Sequence, residues 1–328
     1  MTLDEIRAAV GADMAAVDSV IRSRLKSAVP LVDQIAEHII SGGGKRLRPL
    51  IVLLSAHAAS AGRPLGHGRH LEAAAFIEFI HTATLLHDDV VDHSSKRRGR
   101  DTANAVFGNE ASVLVGDFVY SRAFQIMAGT GSHRVMQIMS DATNVIAEGE
   151  VLQLMNAHDP NTTEERYLEV IYRKTARLFE AGAQVAAVLC GADEGLQDAL
   201  ARYGRHLGAA YQLIDDVLDY RSDPATRGKN LGEDLAEGKP TLPLIHALRN
   251  SDGAEALAIR RAITQDAGIP VAIDAIIASI DRTGGIAYTR ERAFAESELA
   301  IAALAPLAPS RYREALAALA RVAVERDR

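Results

Sequence analysis

The 328-residue sequence has one cysteine and no tryptophan, and its apolar runs are short. A lone cysteine, Cys190, can form neither an internal disulfide nor a cysteine-rich zinc site, and this favours a reducing compartment. Apolar stretches such as AGAQVAAVLCGA stop well short of the roughly 20 residues that a transmembrane helix needs. The first residues, MTLDEIRAAVGADM, carry acids and lack the apolar core of a secretory signal. We therefore expect a cytoplasmic protein with no transmembrane segment.

Basic residues are too few for a protein whose main partner is a nucleic acid. The 36 lysines and arginines are outnumbered by 43 aspartates and glutamates, which gives a net charge of −7. That sign opposes binding to a phosphate backbone. With 48% hydrophobic and 24% charged residues, the chain is too apolar for intrinsic disorder and long enough to bury a sizeable core. We expect a globular protein that binds no nucleic acid.

Strand signals are nearly absent, whereas helical periodicity runs through the chain. Apolar residues recur at spacings of three and four, as in Leu3, Ile6 and Val10, and this spacing is typical of amphipathic helices. Breakers such as the glycine run at 42–44 separate helical patterns of about 15 to 28 residues. Short loops between long helices predict antiparallel packing. Since no linker divides the chain, we predict a single all-α domain over residues 1–328.

One acidic motif occurs twice. HDDVVD at 87–92 and IDDVLD at 214–219 each place D-D-x-x-D at the C-terminal end of a long apolar helix, predicted at about Arg69 to His93 and about Leu196 to Tyr220. Carboxylates four residues apart lie about 5 to 6 Å apart on one helix face and repel each other, and the helix dipole adds to the cost. A single copy is more often a solvated helix end, but two copies in apolar helices need a compensating cation.

Magnesium fits two such clusters, because it binds oxygen ligands and bridges carboxylates to substrate phosphates. We predict that Asp88 converges with Asp92 and Asp215 with Asp219, and that the two clusters hold Mg²⁺ around one diphosphate. The predicted metal ligands are the six aspartates of the two motifs: Asp88, Asp89, Asp92, Asp215, Asp216 and Asp219.

Basic residues stand close to both acidic motifs in the sequence. GGGKRLRP at 42–49 joins a flexible glycine run to cations, which suits a diphosphate, although it lacks the spacing of a P-loop. KRRG at 96–99 follows the first motif, Lys229 and Lys239 follow the second, and His81 stands two helical turns before the first. Either basic run alone is equally consistent with a solvated loop. No serine-hydrolase, zinc-protease or dinucleotide motif offers a competing chemistry.

Two further motifs complete the set: YRKTARLFE at 172–180 and GKNLGEDLAEGKPTLPLI at 228–245. With the motifs above, they resemble the trans-polyprenyl diphosphate synthases, most closely the long-chain octaprenyl to decaprenyl members. The resemblance implies a bundle of long antiparallel helices around a deep central cavity, the isoprenoid synthase fold, and a homodimer. It also implies Mg²⁺-dependent head-to-tail condensation of isopentenyl diphosphate onto an allylic diphosphate, farnesyl or geranylgeranyl, for quinone side chains. Release of a long product implies a peripheral membrane contact.

The resemblance also assigns roles to residues of this sequence. The six aspartates match the Mg²⁺ ligands, with Asp89 the weaker match. Four cations match contacts to the allylic diphosphate: Arg97, Lys174, Lys229 and Lys239. Two polar groups match positions near the reacting carbons: Thr175 and Gln212. Four residues match the isopentenyl diphosphate pocket: Lys45, Arg48, His81 and Arg98.

Six of these residues are expected to be catalytic: Asp88, Asp92, Asp215, Asp216, Lys174 and Gln212. The released pyrophosphate is the expected proton acceptor, so no side chain is assigned as a general base. His93 departs from the family pattern, because many relatives place another acid at this position.

Small residues before the first motif predict a long product. Ala83 and Thr84 are the first side chains that a growing tail would meet below Asp88, whereas short-chain relatives carry bulky aromatic residues in this region. Each helical turn rises about 5.4 Å, close to the length of one isoprene unit, so we predict a tail of about C40 to C50. Three residues are candidates for the floor of the tunnel: Ile77, Ile80 and Met127.

Two other functions stay open. A terpene cyclase shares the helical fold and the metal-triggered ionisation, but it needs no isopentenyl pocket and usually carries a mixed Asn/Ser/Glu motif in place of the second aspartate cluster. A non-catalytic subunit of a heteromeric synthase would be expected to have lost a motif. This chain keeps both clusters together with Lys45, Arg48 and His81, which favours the synthase.

Overall fold

Helices dominate the computed structural model, which describes residues 1–66, 68–97, 99–221, 231–265 and 272–326. The predicted all-α class is confirmed. Within these segments the only strands form a two-residue hairpin, β1 (Lys96–Arg97) antiparallel to β2 (Arg100–Asp101).

The first half of the chain supplies the helices that surround the first acidic motif. In chain order they are α1 (Leu3–Ala8), α2 (Gly11–Leu25), α3 (Pro30–Ser41), α4 (Leu47–Ser60), α5 (Arg69–Val91), α6 (Ala103–Phe107), α7 (Asn109–Gly129) and α8 (His133–Asn156).

The second half contains one π-helical segment among its α-helices. In chain order the elements are α9 (Glu164–Val170), the π segment (Ile171–Ala176), α10 (Arg177–Leu189), α11 (Glu194–Asp219), α12 (Glu233–Ala236), α13 (Leu242–Arg249), α14 (Gly253–Thr264), α15 (Ile273–Arg282), α16 (Gly285–Ala303) and α17 (Arg311–Glu325).

Helices α5 and α11 lie at the centre of the bundle and carry the two acidic motifs at their C-terminal ends. Residues 73–80 of α5 are all buried, because α2, α4, α7 and α10 pack around this helix. Helix α11 begins at its N-cap, Asp193, whose side chain accepts a hydrogen bond from the Leu196 N–H, and it packs against α10 and α16. Both acidic motifs therefore lie at the ends of helices that are packed into the core.

Two glycines allow the helices around the π segment to approach closely. A Cβ on Gly208 of α11 would lie 2.6 Å from the Cα of Ala176, and a Cβ on Gly149 of α8 would lie 2.8 Å from the backbone nitrogen of Lys174. Both distances are shorter than any side chain tolerates. The π segment therefore packs closely between α8 and α11. Segments of this kind are frequent at functional sites.

Crossing a bilayer requires a helix of a certain length and hydropathy, and none of the helices in the described segments has both.

Candidate active site

A cavity of about 1350 Å³ opens where the C-terminal ends of α5 and α11 meet. Most of the predicted site residues line it. Those on the wall are Lys45, Arg48, His81, Asp88, Asp92, Arg97, Lys174, Thr175, Gln212, Asp215, Asp216 and Lys239. Asp89 and Asp219 do not line it, and the predicted residues Arg98 and Lys229 lie outside the described residues.

Two lysines from distant parts of the chain hold the carboxylates of the first motif. Lys174 Nζ lies 3.4 Å from Asp88 Oδ2, and Lys239 Nζ lies 2.8 Å from Asp92 Oδ2. Burial alone would lower the pKa of both lysines, but the neighbouring carboxylates outweigh it and the pKa of each is raised. Both lysines therefore stay charged, as a diphosphate-binding cation must.

Each of these lysines also contacts a second acid that the sequence analysis missed. Lys174 Nζ lies 2.5 Å from Glu150 Oε2 and donates to Gln153 Oε1 at 2.8 Å, and Lys239 Nζ lies 2.7 Å from Glu237 Oε2. Burial is the main cause that raises the pKa of Glu150 to about 7. Glu150 and Gln153 belong to no motif, and only the packing of α8 against the π segment brings them to the site.

Asp89 holds the hairpin instead of facing the cavity. It is buried, and its Oδ1 lies 2.7 Å from Arg97 Nη2 and accepts a hydrogen bond from Arg97 Nε at 2.9 Å. Burial opposes the charge of Arg97, but the bonds and charge of Asp89 prevail and the pKa of Arg97 is raised. This pair fixes a cation at the rim of the cavity.

The second motif divides its three carboxylates among three different surroundings. Asp215 faces the cavity with its side chain 41% exposed, and its Oδ1 lies 3.4 Å from Arg326 Nη2. Asp216 is buried and accepts hydrogen bonds from Tyr167 Oη and, at 2.8 Å, from Gln212 Nε2. Asp219 is buried below the wall, where its Oδ2 accepts the Asp234 N–H at 3.2 Å. Asp219 accepts this N–H at the start of the next helix instead of lining the cavity, and its convergence with Asp215 on the diphosphate stays a prediction.

Arg326 and Tyr211 form a part of the wall that no motif indicated. The Arg326 guanidinium stacks 3.8 Å above the centre of the Tyr211 ring and donates to the Tyr211 carbonyl oxygen at 2.7 Å. Arg326 thereby brings the C-terminal end of α17 to the second motif. Its distance of more than 100 residues from that motif in the sequence explains why pattern reasoning missed it.

Basic side chains form another part of the cavity wall, here called the cationic wall. Lys45, Arg48 and His81 belong to it, and the Arg48 guanidinium stacks 4.5 Å from the centre of the Phe179 ring. Arg46 also lines the cavity, where it pairs with the buried Glu78 at 2.6 Å. Its backbone is left-handed, with φ 45°, a conformation that costs a non-glycine residue roughly 1–2 kcal/mol. The strained turn aims the neighbouring Lys45 and Arg48 at the cavity.

Below Asp88, only one of the two small residues on α5 reaches the cavity. Thr84 lines the wall, whereas Ala83 is fully buried and does not. The expectation that both are the first side chains met by a tail therefore holds for Thr84 and is wrong for Ala83, whose Cβ points into the packed core.

A divalent metal fits the donor chemistry of this cavity. In the described part of the chain, no three His, Cys, Asp or Glu side chains lie close enough to form a metal cage by themselves. Magnesium rarely needs one, since it binds through one or two carboxylates, water and substrate phosphates. Asp88, Asp92 and Asp215 present such carboxylates to the cavity.

Comparison with known proteins agrees with this geometry. Residues 29–280 match the family model described as polyprenyl synthetase. The chain belongs to the polyprenyl synthetase family. Octaprenyl diphosphate synthase of Escherichia coli (strain K12) is 53% identical over 332 residues, covering 100% of both chains. All-trans-nonaprenyl-diphosphate synthase (geranyl-diphosphate specific) of Rhodobacter capsulatus is 46% identical over 322 residues, covering 98% of this chain and 97% of that protein.

Solved structures of similar sequence share the fold. A polyprenyl synthase from Caulobacter crescentus CB15, complexed with calcium and isoprenyl diphosphate, superposes with a TM-score of 0.95 at 44% identity and covers 100% of this chain and 98% of its own. A decaprenyl diphosphate synthase from Rhodobacter capsulatus gives a TM-score of 0.92 at 44% identity and covers 100% of both chains. The predicted family and the isoprenoid synthase fold are confirmed.

Proposed function

We propose that this protein is a long-chain trans-polyprenyl diphosphate synthase, built as a single helical domain. It adds isopentenyl diphosphate repeatedly to an allylic diphosphate such as farnesyl or geranylgeranyl diphosphate. One observation carries the proposal: a single cavity is lined both by carboxylates paired with lysines, Asp88 and Asp92, and by a set of basic residues, Lys45, Arg48 and His81. Two diphosphates with different needs for metal fit these two walls.

The carboxylate wall suits the allylic diphosphate. Asp88, Asp92 and Asp215 would hold Mg²⁺ together with the diphosphate oxygens. When bound, the metal neutralises the charge that develops on the leaving diphosphate. Lys174 and Lys239, which hold Asp88 and Asp92 in this structure, can turn to the diphosphate and add fixed positive charge beside the breaking bond.

The cationic wall suits isopentenyl diphosphate, which keeps its diphosphate throughout the reaction. Lys45, Arg48 and His81 supply charge-assisted hydrogen bonds without any metal. Thr84 and Leu85 of α5 also line the cavity, and the tail of the growing product is proposed to pass along them, away from water. Exclusion of water protects the allylic cation from hydrolysis.

A homodimer is the assembly that the surface favours. Exposed apolar side chains gather on two neighbouring helices, α7 and α8, among them Leu114, Leu154 and Met155, each about two-thirds exposed. Exposed apolar side chains mark a protein interface where they form one surface, and a second copy of the chain is the partner that we propose. Cytoplasmic location, membrane contact during product release and use of the product for quinone side chains stay predictions.

The proposal is tested by incubating the purified protein with Mg²⁺, farnesyl diphosphate and labelled isopentenyl diphosphate, with a chelator as the control. We expect linear prenyl diphosphates of about C40 to C50, the length of tail that helix α5 allows. With the chelator we expect no product. Cyclised hydrocarbon from the allylic substrate alone would identify a terpene cyclase. Absence of any product would identify a non-catalytic subunit.

A further inference from the structure

A continuous set of hydrogen bonds links a buried tyrosine to the cavity wall. Tyr167 of α9 donates through its hydroxyl to Asp216 Oδ2. Gln212 Nε2, one helical turn before Asp216, donates to the other oxygen of the same carboxylate at 2.8 Å. Thr175 Oγ1 of the π segment then donates to Gln212 Oε1 at 3.1 Å. All four residues line the cavity, and the bonds join α9 and the π segment to α11 at two points.

The surroundings of Asp216 are costly for a carboxylate. It is 3% exposed, so its side chain is shielded from water. A buried carboxylate is usually tolerated only when it is paired or fully hydrogen-bonded. Here two neutral donors, Tyr167 and Gln212, meet its two oxygens. Such an arrangement is a poor choice for stability alone, which points to a role in the site.

That role follows from the two ends of the Gln212 amide. An amide has a carbonyl oxygen that accepts and a nitrogen that donates, and its neighbours decide which way it faces. Because Asp216 takes the nitrogen, the carbonyl oxygen of Gln212 must face Thr175 and the cavity. A carbonyl oxygen carries partial negative charge and stabilises a nearby cation, whereas an amide nitrogen in the same place would oppose it.

We propose that Tyr167 and Asp216 are positioning residues that fix the Gln212 amide with its carbonyl oxygen toward the allylic cation. Asp216 then serves Gln212 and not the metal. This inference rests on the proposed function and deepens it, because the oriented carbonyl acts only where an allylic cation forms.

The test compares two buried tyrosines that each lose one hydroxyl. Tyr203 is fully buried on α11 and donates to the Leu316 carbonyl oxygen at 2.8 Å, so Tyr203→Phe is a matched control outside the cavity. We expect Tyr167→Phe to lower kcat at least tenfold while the KM for isopentenyl diphosphate stays within twofold. Tyr203→Phe should leave kcat within twofold of the wild-type value. It should lower the melting temperature about as much as Tyr167→Phe does.

A double-mutant cycle separates positioning from a general structural effect. If Tyr167 acts through Gln212, then Tyr167→Phe added to Gln212→Ala should lower kcat no further. Asp216→Asn, as a second route to the same disruption, should also add nothing to Gln212→Ala. Multiplying effects, or a Tyr167→Phe variant as active as Tyr203→Phe, would overturn the proposal. A wild-type protein that makes no prenyl product would instead overturn the proposed function.

Discussion

The two aspartate motifs end two central helices of the same bundle, and the fold uses their carboxylates differently. In the first motif, Asp88 and Asp92 both face the cavity and pair with lysines. In the second, Asp215 pairs with Arg326 at the cavity, Asp216 lines the wall but is buried and accepts a hydrogen bond from Gln212, and Asp219 is buried and accepts one from the backbone of Asp234. The same D-D-x-x-D pattern therefore leaves two accessible carboxylates at the cavity in the first motif and one in the second.

The difference follows from what packs behind each helix end. Asp89 is the carboxylate of the first motif that turns away, and its partner is Arg97 in a short hairpin. Behind the second motif lie α9 and α12, whose Tyr167 hydroxyl and Asp234 N–H reach two carboxylates at once. The shared motif thus places acidic residues at the ends of two helices. The packing of the neighbouring helices determines which of these side chains can reach the substrate.

The largest expected effect comes from the cavity carboxylates. Asp88→Ala and Asp215→Ala should each lower elongation at least 1000-fold, equivalent to about 4 kcal/mol at about 1.4 kcal/mol per decade, because each removes a ligand from the proposed metal. Steady-state kinetics with labelled isopentenyl diphosphate measures the loss, and unchanged helical circular dichroism is the control. Near-normal activity in either variant would contradict the two-cluster mechanism.

Arg48→Ala should have the next largest effect, and this effect should be confined to the KM of one substrate. The cationic wall contains no carboxylate of either motif, so we expect the KM for isopentenyl diphosphate to rise about 10- to 100-fold, the loss of one or two charge-assisted hydrogen bonds. The KM for the allylic diphosphate should change less than threefold. An equal rise for both substrates would show that the two walls are not divided between the two diphosphates.

Asp219→Ala should cost stability more than activity. The substitution leaves the partly buried Asp234 N–H without its side-chain acceptor, a loss of roughly 1–3 kcal/mol in the free energy of unfolding. Asp215→Ala, at an exposed carboxylate, should change that free energy by less than about 0.5 kcal/mol. Urea unfolding measures both. A larger stability loss in Asp215→Ala would reverse the assigned roles.

Thr84→Tyr should change the product and leave the rate of the first addition nearly unchanged. Thr84 lines the cavity one turn below Asp88, so a phenol ring there should block the tail and leave the diphosphate walls intact. We expect chromatography to show products of about C20 to C25, one or two C5 units longer than farnesyl diphosphate and hence about one or two helical turns of tail. Full-length product from this variant would remove the ruler role of α5.

Local patterns predicted the elements well and the cavity wall only in part. Helix α5 was predicted from Arg69 to about His93 and runs Arg69–Val91, because apolar periodicity and chain breakers act over a few residues. Most of the motif residues line the cavity, whereas Asp89 and Asp219 do not, and Arg98 and Lys229 lie outside the described residues. Glu150, Tyr167 and Arg326 were missed, since each is a single polar residue on a helix that gains its meaning from a neighbour far away in the sequence.

The close contacts between helices explain why these cavity residues are difficult to predict from sequence. Gly149 and Gly208 look like ordinary glycines in helical sequence, yet each removes a Cβ that would separate the π segment from α8 or α11. The convergence of Asp215 and Asp219 on a diphosphate stays a prediction, because Asp219 does not line the cavity in this structure. Helical spacing states that two side chains share a face, but the start of α12 decides that Asp219 is buried.

In this account the accessible carboxylates of the cavity bind the metal, whereas the buried carboxylates stabilise the fold and position residues of the cavity wall. The most direct test is the Mg²⁺ concentration that gives half-maximal elongation in six single Asp-to-Asn variants. We expect a rise of at least tenfold for the three cavity positions: Asp88, Asp92 and Asp215. We expect changes within threefold for the three buried positions: Asp89, Asp216 and Asp219. A rise at Asp216 or Asp219 as large as that at Asp215 would contradict the account.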